Sequence, residues 1–239
     1  MSFEFAVPGA SMKKLVILPV IIVLFSSAAH AISIPWEHQT GTRGSGSSAW
    51  TYSYDIGLID NILTIDVDVR LMIDAMFPPD PVSFPTLASR WQNGIESIWS
   101  TDRFSIPIEF NVDWVTENYD YAVTVTNAAP RWSLLHWYTI GAGGWGDAYQ
   151  EEVATHEYGH MIGLYDEYAG GILDPNTHFI NTGGLMHTLN GPTLDYYYAP
   201  FLGWYETKLG QIPEPSTLLL VSSALLIMIW GVRRKRLCR

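Results

Sequence analysis

The stretch THEYGHMIGLYDEYAGG, Thr155 to Gly171, decides how the rest of the chain is read. His156 and His160 stand four residues apart, one helical turn, so both imidazoles leave the same face and can reach one ion. Glu157 is offset beside them, close enough to hold a water without itself ligating the metal. Gly163 lies near the expected helix end, where glycine allows positive φ and a sharp turn. Such a turn brings the following loop back towards the histidines, and three residues further on is Asp166. The spacing H-E-x-x-H-x-x-G-x-x-D thus specifies two ligands, a base, a bend and a third ligand. Glu167 is adjacent and is the alternative third ligand. Burying two histidines costs free energy unless their nitrogens find partners, and a zinc ion supplies one for each.

The flanking sequence predicts the frame around this helix. Asp147 and Gln150 form an N-cap pattern, and the helix is expected from 148 to about 163. Val153, Met161, Ile162 and Leu164 make it apolar on several sides, as in a buried helix. Upstream, 50–56 and 62–73 read as strands with a hairpin turn between them at 57–61. In the second, Ile65, Val67, Val69 and Leu71 alternate with Asp66, Asp68 and Arg70. PPDPVSFP is a break, and 86–99 carries Leu87, Trp91, Ile95 and Ile98 at helical spacing. Further strands are expected at 106–115, 119–126 and 131–140, loop and turn over 170–192, and a closing helix at 197–209. The order implies a single α/β (α+β) domain over residues 50–212.

The motif over 156–166 resembles that of the metzincin metallopeptidases, H-E-x-x-H-x-x-G-x-x-H or, in some members, ending in Asp. The resemblance implies that His156, His160 and Asp166 bind Zn2+ and that Glu157 is the general base. It also implies a twisted, mostly parallel sheet with a backing helix, an active-site helix, a C-terminal helix and a methionine turn beneath the metal. Gly184-Leu185-Met186-His187 fits that turn, with Met186 in the methionine's place. Thr188 stands where the astacin branch has a tyrosine, so no tyrosine ligand is carried over. Tyr165 and Tyr168 read as packing residues, and His38, His136 and His178 as surface or loop histidines.

Charge and cysteine usage narrow the function classes. Between residues 32 and 215 there are 6 Lys and Arg against 23 Asp and Glu. An acidic body repels phosphate backbones, which excludes a nucleic-acid partner. The one cysteine, Cys238, is almost terminal, so the body holds no disulfide, no cysteine nucleophile and no thiolate metal site.

Both ends read as addresses. Residues 1–31 form a signal peptide, with Met12 the expected true start and cleavage after Ala31. Residues 32–49 are polar and Gly/Ser-rich and are expected to be a flexible leader. Residues 213–239 run Pro213-Glu214-Pro215, an apolar stretch and a basic cluster, and resemble a PEP-CTERM sorting signal. That resemblance implies a Gram-negative cell, an exosortase-type partner, transient residence in the inner membrane and delivery to the surface or beyond.

These readings converge on an exported zinc endopeptidase whose partner is a peptide or protein substrate. Two other classes stand beside it: a non-catalytic surface or biofilm-matrix protein, and a zinc amidase acting on cell-wall substrates. The intact Glu157 favours catalysis, because a binding module has no need of the base.

Overall fold

The alternating stretch after the first turn becomes the spine of the sheet. Strand β3 (Ile62–Ile73) buries Leu63, Ile65, Val67 and Val69 completely and leaves Asp66 and Asp68 on its other face, as period-two alternation requires. It follows β2 (Trp50–Ile59) through a two-residue turn, Asp60-Asn61, with φ of 51° and 66°. Left-handed residues in both positions suit the twist of an antiparallel hairpin, and Asp and Asn tolerate them. The turn is tighter than the five-residue stretch expected, and Gly57 lies inside β2 opposite Thr64.

Three further strands run parallel in the sheet. Strand β4 (Ile108–Trp114) follows β3 from Leu63 to Val69, and β5 (Tyr121–Thr126) follows it from Val69 to Ile73. Leu63 and Val69 hydrogen-bond towards β4, whereas the Asp68 carbonyl accepts from Asp120 beside β5. Strands β2 and β5 therefore share one edge of β3 in succession, and the sheet divides where β2 turns away. Strand β6 (His136–Tyr138) pairs parallel with β5 at the end of the sheet. With three parallel and two antiparallel pairings, the sheet is mixed with parallel pairings in the majority.

The expected flexible leader is the sixth strand. In place of a loose segment at 32–49, β1 (Ile34–Arg43) pairs antiparallel with β2 from Ile34 opposite Leu58 to Arg43 opposite Trp50. Of its residues only Ile34 is buried. It is held by main-chain bonds to β2 and by polar side chains such as Glu37, paired with Trp204 and Lys208, and Arg43, bonded to the Gly163 carbonyl, which leave no apolar alternation to be read.

The computed structural model describes residues 32–128, 133–139, 147–176 and 180–212. Residues 1–31, expected to be a signal peptide, residues 213–239, expected to be a sorting tail, and His178 lie outside the described residues. Among the described residues no helix is long and apolar enough to cross a membrane.

Helices cover the apolar face of the sheet. Helix α1 (Phe84–Trp99) starts with Pro85 in its first turn, where the missing N–H costs nothing. It buries Trp91, Ile95 and Trp99, while Ile98, expected inward, is 37% exposed. The 3.6-residue period carries the buried stripe from Ile95 to Trp99 rather than to Ile98. Helix α2 (Asp147–Met161) carries the histidines. Three side chains anchor it through its surroundings: Trp99 Nε1–H donates to the Thr155 carbonyl (3.0 Å), Tyr158 to Asn111 of β4 (3.1 Å), and Tyr121 of β5 to the Met161 carbonyl (2.8 Å). The Gln150 amide donates to the Thr139 carbonyl (2.9 Å); the Asp147 side chain of the expected cap lies outside what the structure describes. A 3-10 turn (Asp195–Tyr198) leads into α3 (Ala199–Leu209), whose Phe201 packs on Phe110 and Tyr54.

Candidate metal centre

Helix α2 ends in a way that redirects the chain towards its own histidines. Gly163 has φ 93°, its N–H bonds the His160 carbonyl (3.0 Å) and the Leu164 N–H bonds the Gly159 carbonyl (2.9 Å). This pair of bonds is a Schellman cap, which needs a left-handed residue after the helix. The loop that follows doubles back. Asp166 N–H donates to the Ile172 carbonyl (3.0 Å), and Ile172 N–H returns a 2.7 Å bond to Asp166 Oδ2. Asp166 is thereby held 5% exposed with Oδ1 turned to the helix, 3.2 Å from His156 Nε2 and 3.4 Å from His160 Nε2.

The partners of the other ring nitrogens set the tautomers. His156 Nδ1 lies 3.0 Å from the Leu185 carbonyl and His160 Nδ1 2.8 Å from the Leu164 carbonyl. Carbonyls only accept, so both Nδ1 atoms carry hydrogen, and in the neutral rings both Nε2 atoms present lone pairs. Two lone pairs and a carboxylate oxygen then converge within 4.8 Å of one another. Such a set repels itself unless a cation is shared. Two ligands about 2.0–2.1 Å from a tetrahedral zinc are about 3.3–3.4 Å apart, which matches the spacing of each histidine from Asp166. The donor set fits a divalent ion.

A proton is the other cation that the set can share. Burial alone would lower the His160 pKa, but the hydrogen bond to Asp166 and the charges of Glu157 and Asp166 outweigh it and raise the value to about 9. For Asp166, burial pushes upward and is overcome by the hydrogen bonds from both histidines, leaving the carboxyl well below its usual range. The centre is therefore strongly cation-seeking, and a metal ion entering it displaces a proton.

The two adjacent acids point apart. Asp166 faces the histidines, and Glu167, 4% exposed, accepts from Tyr197 (2.7 Å), Tyr196 and Thr182. Successive residues of an extended segment project to opposite sides, and Asp166 sits in such a segment, bridged to Leu173. The structure brings together His156, His160 and Asp166 and does not bring Glu167 to them.

Met186 is fully buried, with its sulfur against Gly159 of α2. Its carbonyl accepts from Glu167 N–H (2.9 Å), and the preceding Leu185 carbonyl is the one that holds His156. Glu157, 8% exposed, lines a cavity of 470 Å3 with His160 and Asp166. One wall of that cavity is the β1–β2 connection, Ser47 to Trp50, and the other includes Tyr168 and Ile172. His38 pairs with Asp55 (2.9 Å), and His136 lies near Ser133; neither belongs to the centre.

Three contributors have no place in the motif reading. At Gly159 a Cβ would come 2.5 Å from Met186 Sδ, so the helix must present bare backbone there for the methionine to fit. A glycine inside a helix costs about 1 kcal/mol against alanine, and that cost is the signal in the sequence. At Gly171 a Cβ would come 2.6 Å from Asp166 Cγ. Trp50 donates Nε1–H to the His160 carbonyl (3.0 Å) and sets its ring edge-on to the imidazole at 5.6 Å; its distance along the chain hides it. No protein-family model matches this chain, and comparison with curated proteins and with solved structures finds no match.

Proposed function

We propose that the chain is a zinc-dependent endopeptidase, exported and sorted to the cell surface, with a metzincin-like arrangement of its active site. The observation that carries this reading is the convergence of His156 Nε2, His160 Nε2 and Asp166 Oδ1 beside a cavity that Glu157 also lines. Three uncharged or singly charged N and O ligands, with room for a water, suit a catalytic rather than a structural zinc site. A zinc ion held there supplies Lewis acidity, which activates water and polarises the scissile carbonyl.

The chain's own groups divide the remaining work. Glu157 takes the proton from the attacking water and delivers it to the leaving amine. Leu185 and Leu164 carbonyls keep the imidazoles aimed at the ion. Asp166 cancels one positive charge, which favours retention of the ion over the strongest polarisation. Strand β6, at the end of the sheet with Ser133 and Leu134 beside the cavity, is the edge on which an extended peptide aligns.

The test uses the purified protein, its zinc content and a mixed peptide library read by mass spectrometry. About one zinc per chain and cleavage within peptide chains are expected, and Glu157→Ala retains zinc but not cleavage. A wild-type protein that holds zinc and cleaves no peptide is a binding protein or an enzyme of another bond, and the proposal fails.

A further inference from the structure

Where β2 leaves β3 and β5 takes its place, the sheet opens into a second cavity of 390 Å3. Ala49, Trp50 and Leu134 line both this cavity and the one at the metal centre, so this cavity adjoins the metal centre. Its walls are mainly apolar, with Trp50, Tyr121, Leu134 and Leu135 among them, and Asp120 is the one charged residue lining it. The Asp120 side chain is 11% exposed, too enclosed to be an ordinary solvated surface acid. Oδ1 accepts from Ser53 (2.5 Å) and Oδ2 from Asp68 N–H (3.0 Å). A carboxylate has about four acceptor positions, so about two remain for a ligand. His38 stands 3.9 Å away but gives Nδ1 to Asp55 at 2.9 Å, and no described Lys or Arg pairs with Asp120.

We infer that this crevice is a specificity subsite for a Lys or Arg side chain of the peptide substrate, with Asp120 as the residue that selects it. The inference rests on the endopeptidase reading for the identity of the occupant. A long basic side chain lays its methylenes along Trp50 and Leu134 and brings its cationic head to Asp120, matching an apolar wall with one anionic end. A glutamate would meet like charge, and a norleucine would leave the carboxylate without a counter-ion. The formal net charge of −11 adds long-range attraction for basic peptides.

Binding separates this inference from catalysis. Capped hexapeptides that differ only by Lys, norleucine or Glu at one position are titrated into the zinc-loaded Glu157→Ala protein, and the same peptides are offered to the wild type for cleavage. At one register the Lys peptide binds about tenfold tighter than the norleucine peptide, the scale of one well-enclosed ion pair. Asp120→Asn removes that preference and leaves norleucine binding unchanged. Leu135→Lys, at a 41%-exposed rim position, lowers the preference by placing a cation in the crevice without touching Asp120's hydrogen bonds. Asp120-dependent Lys preference without cleavage sustains the subsite and overturns the peptidase reading. Cleavage or binding with no Lys preference, a preference that survives both substitutions, or no peptide binding at all overturns the subsite.

Discussion

Replacing Gly171 by alanine tests the third ligand without touching any ligand. A Cβ at residue 171 would stand 2.6 Å from Asp166 Cγ and 2.7 Å from its Oδ2, whereas non-bonded carbons rest about 3.5–4.0 Å apart. The carboxyl must therefore retreat by roughly 1 Å, while a zinc ligand tolerates only about 0.2 Å of misplacement. Gly171 is not among the left-handed glycines, so the backbone accepts alanine and the effect is steric. The expected loss of zinc affinity is about ten- to hundredfold, the range for residues that orient a ligand. Crowding adds a stability cost of about 1–3 kcal/mol. Competition against a chromophoric chelator measures the affinity, with circular dichroism and melting curves confirming that the protein is folded. Gly203→Ala is the matched control, because a Cβ there meets nothing within 4 Å. A folded Gly171→Ala protein with wild-type zinc affinity would show that Asp166 is not held at the metal, and the site as drawn would be wrong.

Two further outcomes follow from the geometry. Asp166→Ala loses zinc, whereas Glu167→Ala leaves three hydroxyl donors without their shared acceptor and lowers stability by about 3–5 kcal/mol; metal titration and chemical denaturation of both variants distinguish them, and loss of zinc from Glu167→Ala under folded conditions would reverse the assignment. Burial, with Asp113, Asp68, Asp55 and Asp120 nearby, raises the Asp66 pKa from 3.8 to about 7. The neutral form is favoured in the fold, so this contribution is complete below the unfolded pKa and is lost as pH rises through about 7. Asp66→Asn should melt about 2–4 °C higher than wild type at pH 8, after allowance for solvent screening, with the difference narrowing as pH falls through 7 and closing only near the unfolded pKa of 3.8. Parallel melting profiles across that range would remove the group from the account.

The motif was the most legible part of the chain because its ligands lie within one helix and one turn. His156, His160 and the bend at Gly163 are related by local backbone geometry, and the structure places them accordingly. β3 was legible for a similar reason: one face is buried, so its alternation survives in the residue types. β1 was not, since an exposed strand held by main-chain bonds has no apolar face, and its Gly/Ser-rich end reads as a loop. The choice between Asp166 and Glu167 was open in the sequence because both carboxylates are near the right spacing. The structure turns Asp166 to the histidines and Glu167 away to Tyr196, Tyr197 and Thr182.

What the sequence determined by itself is the chemistry that can be assembled: the histidine pair, the adjacent glutamate, a glycine to turn the chain and two candidate acids. What only the tertiary structure decided is how that chemistry is held. The Leu185 carbonyl that orients His156, the Trp50 indole at the back of His160 and the Tyr121 hydroxyl on the end of α2 all come from distant segments. None leaves a local pattern, because a hydrogen bond to a backbone carbonyl makes no demand on the identity of the accepting residue. The sheet's division between β2 and β5, and the enclosed Asp120 beside it, likewise depend on strand pairing, which is set by packing across the whole domain.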